Sequence, residues 1–187
     1  MWTRVNETRM TSRKLVDWQK YMTHAEVDCL QNIAGELPSD AIVVKIGAGA
    51  GTDTLAILET TQDLVIFSID ILAGEVPTTT NEHLRLIEAG YDCSGCVIRI
   101  WGDSKVVGKK WPLPVDWLHI DGDHSEEGLR GDIDAWLRHV KVGGFVSFHD
   151  YEDYHWPAVK IVVDEMMAEH EYLPEYSADC LRTYRKS

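Results

Sequence analysis

The chain has 187 residues, about the length of one domain, and 44% of them are hydrophobic, including seven tryptophans, so it can bury a substantial core. A formal net charge of −13 argues against nucleic acid as the main ligand, because phosphate binding wants a basic surface. No apolar run approaches the ~18–20 residues that would span a bilayer, and Met1-Trp2-Thr3-Arg4-Val5-Asn6 lacks the apolar region of a secretory signal, so a cytoplasmic protein with no membrane partner is expected.

In chain order, residues 12–20 read as a helix with Leu15 and Trp18 on one face. Thr23 and Glu26 have the spacing of a capping box for a second helix, with Val27, Leu30, Ile33 and Ala34 as its stripe and Gly35 as its stop. The pattern then changes. Ala41–Ile46 is a short apolar run, read as a buried strand, and it enters Gly47-Ala48-Gly49-Ala50-Gly51-Thr52 and a helix over 52–59. Residues 64–69 form a second strand ending at Asp70, and Thr80 caps a helix through Leu84, Leu86 and Ile87 that Gly90 closes. Val97–Trp101 is a third strand, ending at Gly102-Asp103-Ser104; Val115–Ile120 is a fourth, ending at Asp121. Ser125 starts a helix with the stripe Leu129, Ile133, Trp136, Leu137 and Val140. Gly143-Gly144 ends it ahead of a fifth strand, 145–148, which runs out at His149-Asp150. A helix through Val159, Val162, Val163 and Met166 follows, and residues 180–185 add one more strand. This alternation implies an α/β protein with a mostly parallel sheet and helices on both faces. Nothing divides the chain, so a single domain over 1–187 is expected, with N-terminal helices to residue 36 and the sheet core from residue 40.

The informative polar residues share a position. The glycine loop, Asp70, Asp103, Asp121 and His149-Asp150 all fall just past the carboxyl end of a predicted strand, the edge where open α/β sheets bind ligands. Glycines let a backbone turn sharply and approach a ligand closely. The spacing G-x-G-x-G brings the third glycine one residue earlier than a dinucleotide fold wants, and alone it fits a dehydrogenase, a methyltransferase or a plain turn. Asp70 stands where an acid bonds ribose hydroxyls; Asp103 and Ser104 suit either the adenine end of a nucleoside or a turn. Asp121 and Asp150 end strands that should be neighbours, and with His149 they could gather one divalent ion. Carboxylates suit Mg2+ or Ca2+, whereas an imidazole tilts the site towards Mn2+, Fe2+ or Zn2+. His124 could take a proton from a substrate hydroxyl near neutral pH; in the competing reading, Asp123 and Ser125 merely cap the next helix. His119, inside a strand, reads as a core residue, and His24, His83, His139 and His170 as surface or boundary residues. Tyr151, Tyr154, His155 and Trp156 either line a substrate pocket or pack. Cys93-Ser94-Gly95-Cys96 has C-x-x-C spacing, but no second ligand pair follows, and it reads as an incidental loop.

Val43-Val44-Lys45-Ile46-Gly47-Ala48-Gly49-Ala50-Gly51-Thr52 resembles the first motif of class I S-adenosylmethionine-dependent methyltransferases. Trp117-Leu118-His119-Ile120-Asp121-Gly122-Asp123-His124-Ser125 with Gly143-Gly144-Phe145-Val146-Ser147-Phe148-His149-Asp150-Tyr151 is similar to a subgroup that includes catechol-type and antibiotic-sugar O-methyltransferases. The resemblance covers about residues 40–170. It implies a Rossmann-like, doubly wound, seven-stranded sheet with the last strand antiparallel. It implies S-adenosylmethionine contacts at Gly47, Ala48, Gly49, Gly51, Asp70, Asp103 and Ser104. It further implies an ion, commonly Mg2+, at Asp121, His149 and Asp150, a basic group at His124, and methyl transfer to a hydroxyl of a small molecule. Two residues depart from the pattern: Lys45 and His149 both stand where relatives usually carry an acid. Two alternatives accompany this reading. One is an NAD(P)-dependent oxidoreductase, which shares the strand–turn–helix logic and Asp70. The other is a non-catalytic S-adenosylmethionine-binding protein, which Lys45 favours. The methyl acceptor, and whether the chain works as a homodimer, stay open.

Overall fold

The computed structural model describes residues 9–19, 21–71, 78–91 and 95–187. Two helices lead, α1 (Ser12–Gln19) and α2 (His24–Glu36). The capping box of α2 forms: Glu26 N donates to Thr23 Oγ1 at 3.2 Å and Thr23 N donates to Glu26 Oε2 at 2.7 Å. Such a cap stabilises a helix by about 1 kcal/mol. Then come β1 (Ala41–Ile46), α3 (Thr52–Thr60), β2 (Leu64–Asp70), α4 (Thr78–Glu88), β3 (Val97–Trp101), α5 (Ser104–Lys109), β4 (Val115–Ile120), α6 (Glu126–Trp136), β5 (Val140–Phe148), α7 (Pro157–Glu169), β6 (Tyr172–Ala178) and β7 (Leu181–Lys186).

The strands make one seven-stranded sheet in the order β3-β2-β1-β4-β5-β7-β6. The first five pair in parallel, and β7 runs antiparallel to both β5 and β6. This is the Rossmann-like, doubly wound architecture expected. Side chains alternate between faces along each strand, so each parallel strand feeds two cores. Val43, Ile66, Val97, Trp117 and Phe145 pack under α1, α2 and α3, while Val44, Ile69, Leu118, Val146 and Phe148 pack against α6 and α7.

Two expectations need correction, and two elements were not anticipated. The helix assigned to start at Thr80 begins at Thr78, and its buried residues include Glu82 and Leu86, leaving Leu84 and Ile87 exposed. Apolar spacing could not anticipate that a buried lysine draws Glu82 inward. Gly143-Gly144 does not separate a helix from a strand: β5 starts at Val140 and runs through both glycines. Val115 pairs Val140 while Trp117 pairs Phe145, so the glycines sit in an extended bulge on β5, with Gly143 at φ +78°. Helix α5 was hidden because its six residues lack a long periodic stripe. Strand β6 carries Pro174 and Glu175 and is largely exposed, as an edge strand tolerates. Cys93 lies outside the described residues; Cys96, with Cys29 and Cys180, is a free thiol.

Candidate functional site

The carboxyl ends of β1 to β5 share one edge of the sheet, and the loops leaving it build the site. Gly47 follows β1 at φ +88°, and its N–H donates to Ile69 O at 2.8 Å. A Cβ there would meet Asp121 O at 2.0 Å, so the loops after β1 and β4 can approach only because this residue is glycine. Gly49, at φ +50°, has nothing within 4 Å of where a Cβ would stand: it faces open space. Asp70 Oδ2 accepts from Ala48 N at 2.9 Å, tying the end of β2 to the loop.

Two cavities flank Gly49. The smaller, about 430 Å³, is walled by Gly47, Asp70, Asp103, Ser104, Asp121 and Asp132. Asp103 also caps α5, accepting from Lys105 N at 2.9 Å, so the turn and the wall are the same residue. Asp132 escaped the sequence reading. It lies on α6, is 1% exposed, and accepts a hydrogen bond from the Ser104 hydroxyl, while Trp136 Nε1 donates to Ser104 O at 3.0 Å. Burial pushes the Asp132 carboxyl up to about 6. An acid spaced in register with Leu129, Ile133 and Trp136 on the buried stripe was the available signal.

The larger cavity, about 990 Å³, runs from Ala48 and Asp53 to Asp121, His124, Asp150 and Trp156. At its floor the four predicted chemical residues meet. His124 Nε2 lies 2.7 Å from Asp150 Oδ2 and 3.8 Å from Asp121 Oδ1. His149 Nδ1 lies 3.4 Å from Asp121 Oδ1 and 3.3 Å from Asp150 Oδ2. Contacts with Asp121 and Asp150 raise the His124 imidazole to about 9. Burial would lower His149, but Asp121, Asp150 and Glu26 outweigh it and hold it well above its ordinary value. Burial works against ionising the carboxyls as well; the two histidines prevail, keeping Asp121 far below its usual range and Asp150 at about 2. Glu26 is a second residue that the sequence reading used only locally. Besides capping α2, it stands 3.5 Å from His149 Nε2 and accepts from Cys180 N at 2.9 Å. His124 stacks on Trp156, with ring centroids 4.8 Å apart. Of the aromatics after β5, His155 and Trp156 line the cavity, Tyr154 is exposed, and Tyr151 is buried with its hydroxyl bonded to Asp164.

Beneath the site, neighbouring strands present a polar row on one face: Arg99, Ser68, Lys45, His119, Ser147 and Thr183 occupy matched register positions from β3 to β7. Lys45 is 1% exposed. Its ammonium donates to Ala48 O at 2.8 Å, Asp53 Oδ1 at 2.6 Å, Thr54 Oγ1 at 3.1 Å and Glu82 Oε1 at 3.3 Å. Burial would lower its pKa, yet Asp53 and Glu82 carry it above the ordinary value. Arg99 Nε completes the charge balance, 3.2 Å from Glu82 Oε2. Lys45 therefore fastens the glycine loop from below and lines neither cavity.

A family model described as a methyltransferase domain matches residues 44–151. An uncharacterized protein of Acanthamoeba polyphaga mimivirus is 27% identical over 159 residues, spanning 78% of this chain and 70% of that protein. A Staphylococcus aureus structure provisionally identified as a caffeoyl-CoA O-methyltransferase superposes with a TM-score of 0.72, covering 94% of this chain and 90% of its own at 14% identity. The Podospora anserina methyltransferase PaMTH1, solved with S-adenosylhomocysteine bound, gives 0.71, covering 94% and 86% at 14% identity. At these identities the two structures speak for the fold.

Proposed function

The chain belongs to the class I S-adenosylmethionine-dependent methyltransferases, and on that premise we propose that it methylates a hydroxyl of a small molecule, with a divalent ion at Asp121, His149 and Asp150. The observation that carries this reading is the convergence of two carboxylates and two imidazoles beside Gly49, where the two cavities meet. The cofactor fits the chain: Gly49 offers the open backbone surface, and Asp70, Asp103 and Ser104 offer polar partners for a nucleoside in the smaller cavity. An ion fits as well, since oxygen and nitrogen atoms of Asp121, His124 and Asp150 lie within 4.8 Å of one another, and His149 Nδ1 contacts the same two carboxylates.

Bound S-adenosylmethionine supplies an electrophilic methyl on a sulfonium. The chain's own part would be to align the acceptor oxygen and take up its hydroxyl proton. The two histidines divide the work by exposure. His149, 5% exposed, is sunk behind the carboxylates and suits an ion ligand, whereas His124, 24% exposed and stacked on Trp156, faces the cavity and suits the proton acceptor. A divalent ion held by the carboxylates would acidify the acceptor hydroxyl, and an imidazole ligand would favour Mn2+, Fe2+ or Zn2+ over Mg2+. The net charge of −13 supports a small acceptor over a nucleic acid. The free thiols among the described residues, Cys29, Cys96 and Cys180, support a reducing compartment, the cytoplasm. Among the described residues, no helix is long and apolar enough to cross a membrane.

The test is release of S-adenosylhomocysteine with a panel of hydroxylated acceptors, with and without EDTA. Chelation and Asp121→Asn should each cut turnover by at least about 100-fold. Full turnover by Asp121→Ala in EDTA removes the ion from the reading.

A further inference from the structure

Helix α2 lies outside the residues that the family model matches, yet one of its side chains reaches the charged cluster. Glu26 is 2% exposed and His149 is 6% exposed. The His149 ring gives its two nitrogens different neighbours. Nδ1 lies 3.4 Å from Asp121 Oδ1 and 3.3 Å from Asp150 Oδ2. Nε2 is buried, has no hydrogen-bond partner of ordinary geometry, and stands 3.5 Å from Glu26 Oε2. A cap works as well on a helix end open to water, so capping α2 does not account for burying this carboxylate, which costs free energy unless a donor answers it. Backbone groups brace it from two sides. Thr23 N donates to Oε2 at 2.7 Å, and Cys180 N donates to Oε1 at 2.9 Å. Cys180 sits in the turn between β6 and β7, and its carbonyl accepts from Tyr151 N at 2.9 Å, next to Asp150. Glu26 itself lines neither cavity.

An imidazole that ligates an ion through one nitrogen keeps its proton on the other, and an acceptor for that N–H fixes the ring. We propose that Glu26 is the positioning residue of His149: it holds the Nε2–H and so aims Nδ1 at the space between Asp121 and Asp150. This role rests on the proposed ion at Asp121, His149 and Asp150, but on neither the cofactor nor the acceptor. Glu26 then acts only through the ring. The start of α2 and the β6–β7 turn, both remote in sequence from the strands that carry the ligands, set the direction of one ligand.

Mn2+ is the probe, and its affinity for the full chain is read from the electron paramagnetic resonance of the free ion. Glu26→Gln should weaken binding by about 10- to 100-fold, the range for loss of a partner behind a ligand. His149→Asn should weaken it at least as much. In the His149→Asn background, Glu26→Gln should add less than about 2-fold, because its route to the ion is gone. Thr23→Ala removes the capping hydroxyl but keeps the backbone N–H on Glu26. It should lower the melting temperature by about 2–4 °C and leave Mn2+ affinity within about 2-fold. A readout on the wild type needs no variant to fold: with Zn2+ bound, 15N resonances should show His149 ligated through Nδ1 and protonated at Nε2. Ligation through Nε2, an equal loss from Glu26→Gln with and without His149, or a loss from Thr23→Ala as large as that from Glu26→Gln overturns the assignment. Wild-type binding that needs His149 but ignores Glu26 overturns this role alone. No Mn2+ binding, or binding indifferent to His149, overturns the ion reading and this role with it.

Discussion

His124 is held between two carboxylates, and they determine which proton state it keeps. Asp121 and Asp150 raise its imidazole to about 9, so at neutral pH without an ion it is an imidazolium, a donor rather than a base. Residual methyl transfer measured in EDTA should therefore climb about tenfold per pH unit from pH 6 and level off near 9. A divalent ion between the carboxylates offsets their field and moves this limb to lower pH. His124→Gln should flatten the limb. A wild-type profile in EDTA that is already level at pH 7 would remove His124 as the base. The same shift has a sign for stability. Since the folded pKa is raised, the pairing stabilises fully below the unfolded value of about 6.5 and is lost as pH rises through about 9. Lys45 shows where residue-scale reading stops. As a lysine before the glycines it suggests a weakened cofactor site, but its partners Asp53 and Glu82 are 8 and 37 positions away, and nothing local announces them. Their carboxylates hold its ammonium beneath the glycine loop.

At the scale of elements, the glycine loop makes two different demands that its spacing does not distinguish. Gly47 is required by contact: a Cβ would stand 2.0 Å from Asp121 O, where backbone cannot yield cheaply. Gly49 is required by space for a ligand and by φ +50°, which costs an alanine about 1 kcal/mol. Gly47→Ala should therefore push apart the loops after β1 and β4, lowering thermal stability and S-adenosylhomocysteine affinity together. Gly49→Ala should fold with a melting temperature within a few degrees of wild type, about 2–4 °C per kcal/mol at this size, yet lose affinity by tenfold or more. Equal destabilisation by the two, seen in paired melting curves and titrations, would count against the division. The five parallel strands are legible because each is a short apolar run that ends in the glycine loop or near a polar residue, and those ends share the edge that carries the candidate site. Elements fail to be legible where tertiary context decides. Glu82 turns inward for Lys45, Gly143 and Gly144 bulge a strand instead of ending a helix, and β6 survives as an exposed edge through its pairing with β7.

Across the whole molecule, the charge distribution separates the two cofactor classes that the glycine loop alone leaves open. The smaller cavity is lined by Asp70, Asp103, Asp121, Asp123 and Asp132 against Lys105, and the chain carries −13 overall. A pyrophosphate entering there meets acids on several sides, whereas S-adenosylhomocysteine would place only its uncharged nucleoside there. Because the two cavities join at Gly49 and Asp121, a ligand filling both links β1 and α3 to β4. A ligand that binds only the folded state at about 100 times its dissociation constant adds about 2.7 kcal/mol, and at about 2–4 °C per kcal/mol this raises the melting temperature by roughly 5–10 °C. S-adenosylhomocysteine should produce that shift in a fluorescence melt, and NAD at the same concentration should produce none. An equal shift with NAD would mean that the acids of the smaller cavity tolerate a pyrophosphate, and the electrostatic argument for methyl transfer over hydride transfer would fall with it.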